Sequence, residues 1–420
     1  MLGIQQRLTK SFYALLSLPA TAMGFALSIQ IAALSWILNT QYGLDIHEIG
    51  IVWAAGPLAG IFGQVIIGVI SDRVWFWGGR RRPFILIGGV LAALMLIALP
   101  NIHHISSALG FGGILGVAMA VALTLDLAIN ISFNPTRSII ADVTPEGNAR
   151  TKGYTWMQTI SGFFGVAAYA LGATLGNYVL IYLGAVVVLL FSLFPPLFIQ
   201  EDRDLSDESA TDDDEHAKDE HPTDWNQLLR IYFAHAFSWL GIQTMFVYII
   251  AYINQKLSPA TDFETGQIIS ISFLILNTVG FILPVLVLEP LAERMGRVRV
   301  HMAAVAVMAL AYLGIVLLGK TTLSLYVLMA FAGVGWAAVV SLPFAIMSEN
   351  VNKSRMGFFM GIFNLSVVLP QLVVSLGLGI VILNAADKNL IFIISAVSLG
   401  VSALLWLLVR EPQTSHLSEK

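Results

Sequence analysis

Apolar residues in this chain run in long blocks rather than recurring every third or fourth position as they do on a surface helix. A helix needs about 20 mostly apolar residues to cross a bilayer. Twelve blocks come near that length: 12–38, 46–70, 83–100, 112–140, 153–176, 179–199, 227–254, 265–290, 298–318, 322–348, 355–381 and 389–409. Short polar stretches separate them. A helix that is apolar all round is a core or membrane helix, so the pattern predicts an all-α membrane protein with twelve transmembrane helices. The first block is too long for a cleaved signal peptide and lacks a small-residue cleavage site.

The polar stretches set the orientation. With the N-terminus in the cytoplasm, eighteen Lys and Arg fall on the cytoplasmic side, and only Lys256, Lys320 and Lys388 on the other. Arg137 lies within the fourth block. This is the bias of the positive-inside rule, and one missed or extra helix would scramble it. Both termini are expected in the cytoplasm, and the membrane is expected to be the cytoplasmic (inner) one.

Composition removes several function classes. Of 420 residues, 57% are apolar and 11% charged, against about 25% charged in a soluble domain. Mean hydropathy is +0.80. A soluble enzyme or a nucleic-acid binder would need far more charge at its surface. There is no cysteine, which removes thiolate chemistry and Cys-ligated metal, and no cofactor motif is visible. The net charge of −4 hides an uneven distribution. Residues 200–224 hold twelve acids and two bases, leaving fourteen acids and twenty bases for the rest. That segment reads as a solvated linker. It divides the chain into an N-terminal half (1–199), an acidic cytoplasmic linker (200–226) and a C-terminal half (227–420).

The halves repeat one another. Gly68, Ser71, Asp72, Arg73 and then Gly79, Arg80, Arg81 and Arg82 follow the second block. Glu289, Glu293, Arg294, Gly296 and Arg297 follow the eighth. Asp142, Arg150 and Gly153 follow the fourth block, and Glu349, Arg355 and Gly357 follow the tenth. Six plus six spans in parallel repeat, joined by a charged linker, is the major facilitator architecture, which holds substrate between its halves near the membrane midplane. Asp72, Asp142, Glu293 and Glu349, beside Arg73, Arg80, Arg81, Arg82 and Arg294, are candidate cytoplasmic gate pairs that close one side in one state. The alternative is that the basic residues only mark topology.

Asp126 is the one acid deep within a block. A carboxylate at that depth costs at least ~2.5–3.5 kcal/mol on insertion scales. Burial disfavours its charged form, which makes it a natural reversible proton carrier facing the space between the halves. The alternative is a neutral Asp bonding a neighbouring helix. Asn130, Asn134 and Arg137 continue a stripe down the same helix face, and Asp126 and Arg137 are about 16 Å apart by helical rise, too far to pair. Pro135 is expected to kink the helix. Other in-span polar residues are Gln30, Asn39, Gln64, Gln158, His235, Gln243, Asn277, Asn364 and Gln371. His235, Trp239 and Gln243 share one helix face. Singly such groups are helix–helix glue. Together, neutral amides and aromatics suit a neutral, polyhydroxylated solute.

The runs Gly56-Pro57, Ser71-Asp72-Arg73 and Gly79-Arg80-Arg81-Arg82-Pro83-Phe84-Ile85 resemble the signature of the sucrose transporter family of glycoside–cation symporters, the SLC45-like group. So do Leu125-Asp126 with Asn130, Pro135-Thr136-Arg137 with Asp142, and Ser341, Pro343, Asn364 and Pro370-Gln371. The resemblance covers residues 24–377. It implies a major facilitator fold and import of a disaccharide with protons. It also implies that Asp126 is the proton site and Arg137 a substrate and coupling residue. The family's acids and Arg after helix seven have no match at Ile249–Lys256.

The expectation is a proton-coupled symporter, and not an enzyme, for an α-glucoside such as sucrose or maltose. Its partners are the sugar, protons and the lipid bilayer, with no nucleic acid, no metal and no cofactor, and it is expected to function as a monomer. Asp126 is the proton-coupling residue. Arg137, Asn130, Asn134, Gln30, Trp239, Gln243 and Asn364 are the candidate substrate-binding residues. A sodium-coupled symporter or an effluxer is the alternative. A membrane enzyme would need a cluster of acids or histidines, and His103–His104 is a weak pair.

Overall fold

The structure, a computed structural model, describes residues 3–61, 70, 74–110, 113–145, 148–201, 224–348, 350 and 356–411. The expected Asp72, Arg73, Gln64 and Glu349 lie outside the described residues, as does most of the acidic linker. Each of the twelve blocks has its helix. These are α1 (Lys10–Thr40), α2 (Ile46–Ile61), α3 (Arg82–Ala98), α4 (Ile114–Val143), α5 (Asn148–Leu175) and α6 (Asn177–Phe198). The second six are α7 (Trp225–Tyr252), α8 (Asp262–Leu283), α9 (Arg297–Leu318), α10 (Thr322–Ser348), α11 (Met356–Val373) and α12 (Leu390–Trp406). Among the described residues nine helical stretches are long and apolar enough to cross a membrane. Helices α2 and α12 are shorter and apolar, and α5 is long but less apolar.

Local chemistry explains where helices begin. Thr9 accepts a hydrogen bond from the Phe12 N–H at the start of α1. Asp45 and Glu48 form a reciprocal capping box at the start of α2, satisfying N–H groups that a helix leaves open. Gly176 turns the chain from α5 to α6 at φ +86°, and a side chain there would also strike the Phe263 ring. The lipid-facing surface is plain on α6. Val179, Leu183, Val186, Leu190, Phe194 and Leu197 are all at least 40% exposed, at helical spacing. Soluble monomers rarely leave so long an apolar stripe to water.

The chain falls into two compact units that do not coincide with the halves read from the repeat. The first comprises Met1–Thr211, Val247–Leu274 and Ser375–Ala385; the second comprises Asp212–Phe246, Ile275–Val374 and Ala386–Lys420. In the first unit α1 packs on α5 and α6, and α3 packs on α4 and α6. The far ends of α7 and α8 join them through neutral groups. Ser35 Oγ donates to the Val247 carbonyl (3.0 Å) and accepts from Trp53 Nε1 (2.8 Å). Trp36 Nε1 donates to the Asp262 carbonyl, and Asn254 Nδ2 to Asn39 Oδ1 (3.2 Å). In the second unit α9 packs on α10 and α12. Three π-helical turns, Ile253–Leu257, Pro284–Leu288 and Val374–Leu378, follow α7, α8 and α11. Pro284 starts the second of them and Pro370 stands one turn before the third. Proline withdraws a helical N–H, and such wide turns absorb the disruption.

The repeat extends to individual hydrogen bonds. Glu201, just past α6, accepts the backbone N–H groups of Arg80, Arg81 and Arg82 (each 2.8 Å) at the start of α3. Glu411, past α12, accepts the N–H groups of Arg297 and Val298 at the start of α9. A carboxylate at a helix N-terminus satisfies open donors and opposes the positive end of the helix dipole. A glycine makes room for each. A Cβ on Gly79 would meet Glu201 Oε1 at 2.5 Å, and one on Gly296 would meet the Glu411 carboxyl carbon at 2.6 Å. Likewise Gln5 Nε2 donates to the Gln200 carbonyl (2.8 Å) and Gln227 Nε2 to the Arg410 carbonyl (2.7 Å).

Candidate functional site

In the first unit the site is built around α4. Asp126 is 5% exposed, and its Oδ2 accepts from Gln30 Nε2 of α1 at 2.9 Å. Gly56 of α2 closes the third side: a Cβ there would lie 3.5 Å from both carboxylate oxygens. Among the described residues no cation pairs with Asp126. Gln30, expected to meet substrate, is itself buried and committed to the acid. Asn130 Nδ2 donates back to the Asp126 carbonyl (2.8 Å), one turn along α4. Asn134 is half-buried.

Arg137 is exposed. Its guanidinium lies over the Phe133 ring, 4.2 Å from the centroid, and the Tyr154 hydroxyl of α5 donates to its carbonyl oxygen (3.2 Å). Among the described residues it makes no ion pair. Stacking on Phe133 leaves the edge of the guanidinium free to donate. Pro135 lies inside α4, which continues through it to Val143.

In the second unit the polar groups gather around two tryptophans. Trp239 Nε1 donates to His235 Nε2 one turn earlier on α7 (3.0 Å). The Trp239 ring meets Trp336 of α10 edge-on, with centroids 6.0 Å apart. Trp336 Nε1 donates to Asn277 Oδ1 of α8 (3.2 Å), and Phe246 leans on Trp336 at 5.3 Å. Gln243 is buried, and its Oε1 accepts from Gln371 Nε2 of α11 (3.4 Å). Asn364 is half-buried on α11. The indoles and amides form a neutral surface of flat apolar faces edged by donors and acceptors. Sequence reasoning missed Trp336 as a member. Its indole N–H partner, Asn277, was visible only as one of many in-span amides.

Of the candidate gate residues, Asp142 takes both Arg80 Nη2 (3.0 Å) and Arg81 Nε (3.1 Å) on the same oxygen. These groups lie on α4 and just before α3, inside one unit. Arg82 instead gives Nη1 to the Gly78 carbonyl (3.3 Å) and its N–H to Glu201. Glu293 and Arg294 are exposed, with no ion pair among the described residues. Glu201 and Glu411 were not anticipated. Their signal was available: each is the first acid after the sixth span of its half.

Comparison with known proteins agrees with this architecture. The family model of the Major Facilitator Superfamily matches residues 16–375 and 231–420. The chain is 24% identical over 424 residues to the sucrose transport protein SUC4 of Arabidopsis thaliana, covering 86% of this chain and 82% of that one. The general alpha-glucoside permease of Schizosaccharomyces pombe is 28% identical over 174 residues, 37% of this chain and 31% of the permease. Among solved structures, the nucleoside transporter NupG superposes with a TM-score of 0.72 at 13% identity, over 95% of this chain and 98% of NupG. The xylose transporter XylE from E. coli gives 0.71 at 14% identity, over 96% and 97%. At these identities the structures establish the fold alone. The family that the motifs around Asp126 and Arg80–Arg82 resemble is the one to which these sucrose transport proteins belong.

Proposed function

The chain belongs to the major facilitator superfamily, and on that premise we propose that it is a symporter importing an α-linked disaccharide, sucrose or maltose, together with protons. The similarity to sucrose transport proteins over 86% of the chain supports the sugar. The observation that carries proton coupling is Asp126. It is a buried carboxyl with a single amide donor and no cation beside it among the described residues. A buried acid without a counter-charge exchanges its proton at a cost that depends on its surroundings. A conformational change that hydrates it therefore changes its proton affinity, and that is the physical requirement for coupling.

The sugar meets the second unit's neutral surface. Trp239 and Trp336 offer ring faces to the C–H surface of a pyranose, and Gln243, Asn277 and Asn364 offer hydrogen bonds to its hydroxyls. Arg137, Asn130 and Asn134 of α4 are the first unit's candidate substrate-binding groups. The halves rock about the sugar in alternating access, with both termini in the cytoplasm and the protein in the inner membrane. No bond in the sugar is made or broken. The Arg80–Asp142 and Arg81–Asp142 pairs hold the cytoplasmic ends of α3 and α4 together, so that this part of the N-terminal half moves as one body.

The test is Asp126→Asn in proteoliposomes, with radiolabelled sucrose and maltose. Accumulation against a gradient, driven by external acid, is expected to disappear. Counterflow exchange between the two sides is expected to persist, because it needs no net proton movement. Undiminished uphill uptake in Asp126→Asn would overturn the assignment.

A further inference from the structure

Trp239 donates its indole proton to His235 Nε2. Indole N–H is a donor only, so Nε2 must be the unprotonated nitrogen, and neutral His235 then carries its proton on Nδ1. His235 is 2% exposed, and that Nδ1 has no hydrogen-bond partner among the described residues. The ring is also clamped from α11, with Phe363 stacked on it at 4.8 Å and 14°. Its orientation is therefore settled, and one donor is left over.

The same end of the second unit holds other unsatisfied groups. His301 of α9 is fully buried; neither ring nitrogen has a well-aligned hydrogen-bond partner among the described residues, and the Ala338 backbone of α10 is the polar group beside it. It meets Trp406 of α12 edge-on at 4.3 Å, and Trp406 Nε1 is likewise unpartnered. Leu228, Ile231, Tyr232 and Ala234 of α7 share one buried core with Val298 of α9 and Trp406 of α12, which brings His235 and His301 to the same end of the unit. Gln227 Oε1 at the start of α7 is a further buried acceptor without a partner among the described residues, whereas the serines and the tyrosine nearby are paired. Ser238 and Ser402 share a hydrogen bond (2.7 Å), Ser402 also reaches the Ala234 carbonyl, and the Tyr232 hydroxyl donates to the Phe359 carbonyl (3.4 Å).

The donor count decides what these groups need. His235 Nδ1, Trp406 Nε1 and one nitrogen of His301 are N–H donors, and the second His301 nitrogen is an acceptor. An unsatisfied buried donor costs about 1–3 kcal/mol. A water molecule accepts two hydrogen bonds and donates two, and buried waters take two to four polar partners. One water can accept from His235 and Trp406 and donate to His301.

We propose that His235 is a positioning residue for Trp239, and that His301, through a buried water shared with Trp406, holds His235 in the tautomer this role requires. The sugar-facing indole is thereby aimed by groups of α9 and α12 that never touch substrate. The proposal rests on the reading that Trp239 meets the sugar.

The test separates the two claims. The full-length protein is labelled with 5-fluorotryptophan, and the Trp239 resonance is assigned by its loss in Trp239→Phe. Without sugar, His235→Leu is expected to shift that ¹⁹F resonance, and His235→Gln, whose amide oxygen accepts in place of Nε2, to restore it. His301→Leu is expected to shift it too, by less, although it does not contact the indole. With sucrose and maltose uptake, His235→Leu is expected to raise KM about tenfold, the factor that 1.4 kcal/mol represents, with Vmax kept and with recovery in His235→Gln. If His235→Leu does not fold, His301→Leu and His235→Gln carry the same test. An unmoved Trp239 resonance in the leucine variants overturns the proposal whether or not either sugar is transported. Unimpaired uptake by Trp239→Phe would instead overturn the placement of sugar on Trp239 and leave the fluorine result standing.

Discussion

The two polar centres are built on opposite principles. Around Asp126 the first unit supplies one ionisable group, one amide from Gln30, a glycine, and Asn130 one turn along α4. Around Trp239 and Trp336 the second unit supplies aromatic faces and neutral amides. A lone carboxyl in an apolar wall has a proton affinity that responds strongly to hydration. A neutral aromatic–amide surface responds little to pH and instead presents shape. The contrast teaches that one chain can build a hydration-sensitive acid and a neutral recognition surface separately; in the proposed function the first serves coupling and the second sugar recognition.

The largest effect should come from breaking recognition. Trp239→Ala or Trp336→Ala is expected to abolish counterflow of sucrose and maltose as well as uphill uptake, whereas Asp126→Asn abolishes only the latter. If both centres fail in the same assays, the division of roles falls. Next come the helix-capping acids. Charge-assisted hydrogen bonds contribute about 1.5–3 kcal/mol each, so Glu201→Ala and Glu411→Ala should each lower the melting temperature in detergent by several degrees. The repeat demands similar losses in the two halves, and a loss confined to one would break the equivalence.

A smaller effect sharpens the first centre. Gln30→Leu leaves a buried carboxyl without its donor and should destabilise the protein by about 1–2 kcal/mol. In the Asp126→Asn background that loss should shrink, and a double-mutant cycle on thermal stability measures the difference. The smallest effect belongs to Asp142→Asn. Asp142 and Arg80 retain partial exposure, and ion pairs of this kind contribute about 1 kcal/mol or less. Only a slight thermal shift is expected, together with an altered Vmax if the pair holds α3 and α4 together during transport.

Much of the molecule was legible before folding because its determinants are local. Every one of the twelve apolar blocks became a helix, since length and hydropathy alone decide whether a segment can satisfy its backbone inside a membrane. The capping box of Asp45 and Glu48 is written within four residues. Asp126 stood out because a deep acid is expensive wherever its partner lies. The candidate site was less legible. Gln30 was read as one of several amides available to substrate, and it is held by Asp126, 96 positions away. Trp336 was one aromatic among many until Asn277 and Trp239 were brought beside it. The glycines of the two Arg-rich loops were visible as a repeat, but their reason, the carboxylates of Glu201 and Glu411 lying against them, was not.

Hydropathy along the chain thus located the apolar blocks that became helices and the deep acid Asp126 within one of them. Those properties belong to single segments, and the bilayer selects them segment by segment. Tertiary structure alone decided which amide answers Asp126, which tryptophans form one surface, and that Asp142 binds two arginines of its own half. Such choices depend on distances between helices far apart in the chain, and no local pattern encodes them.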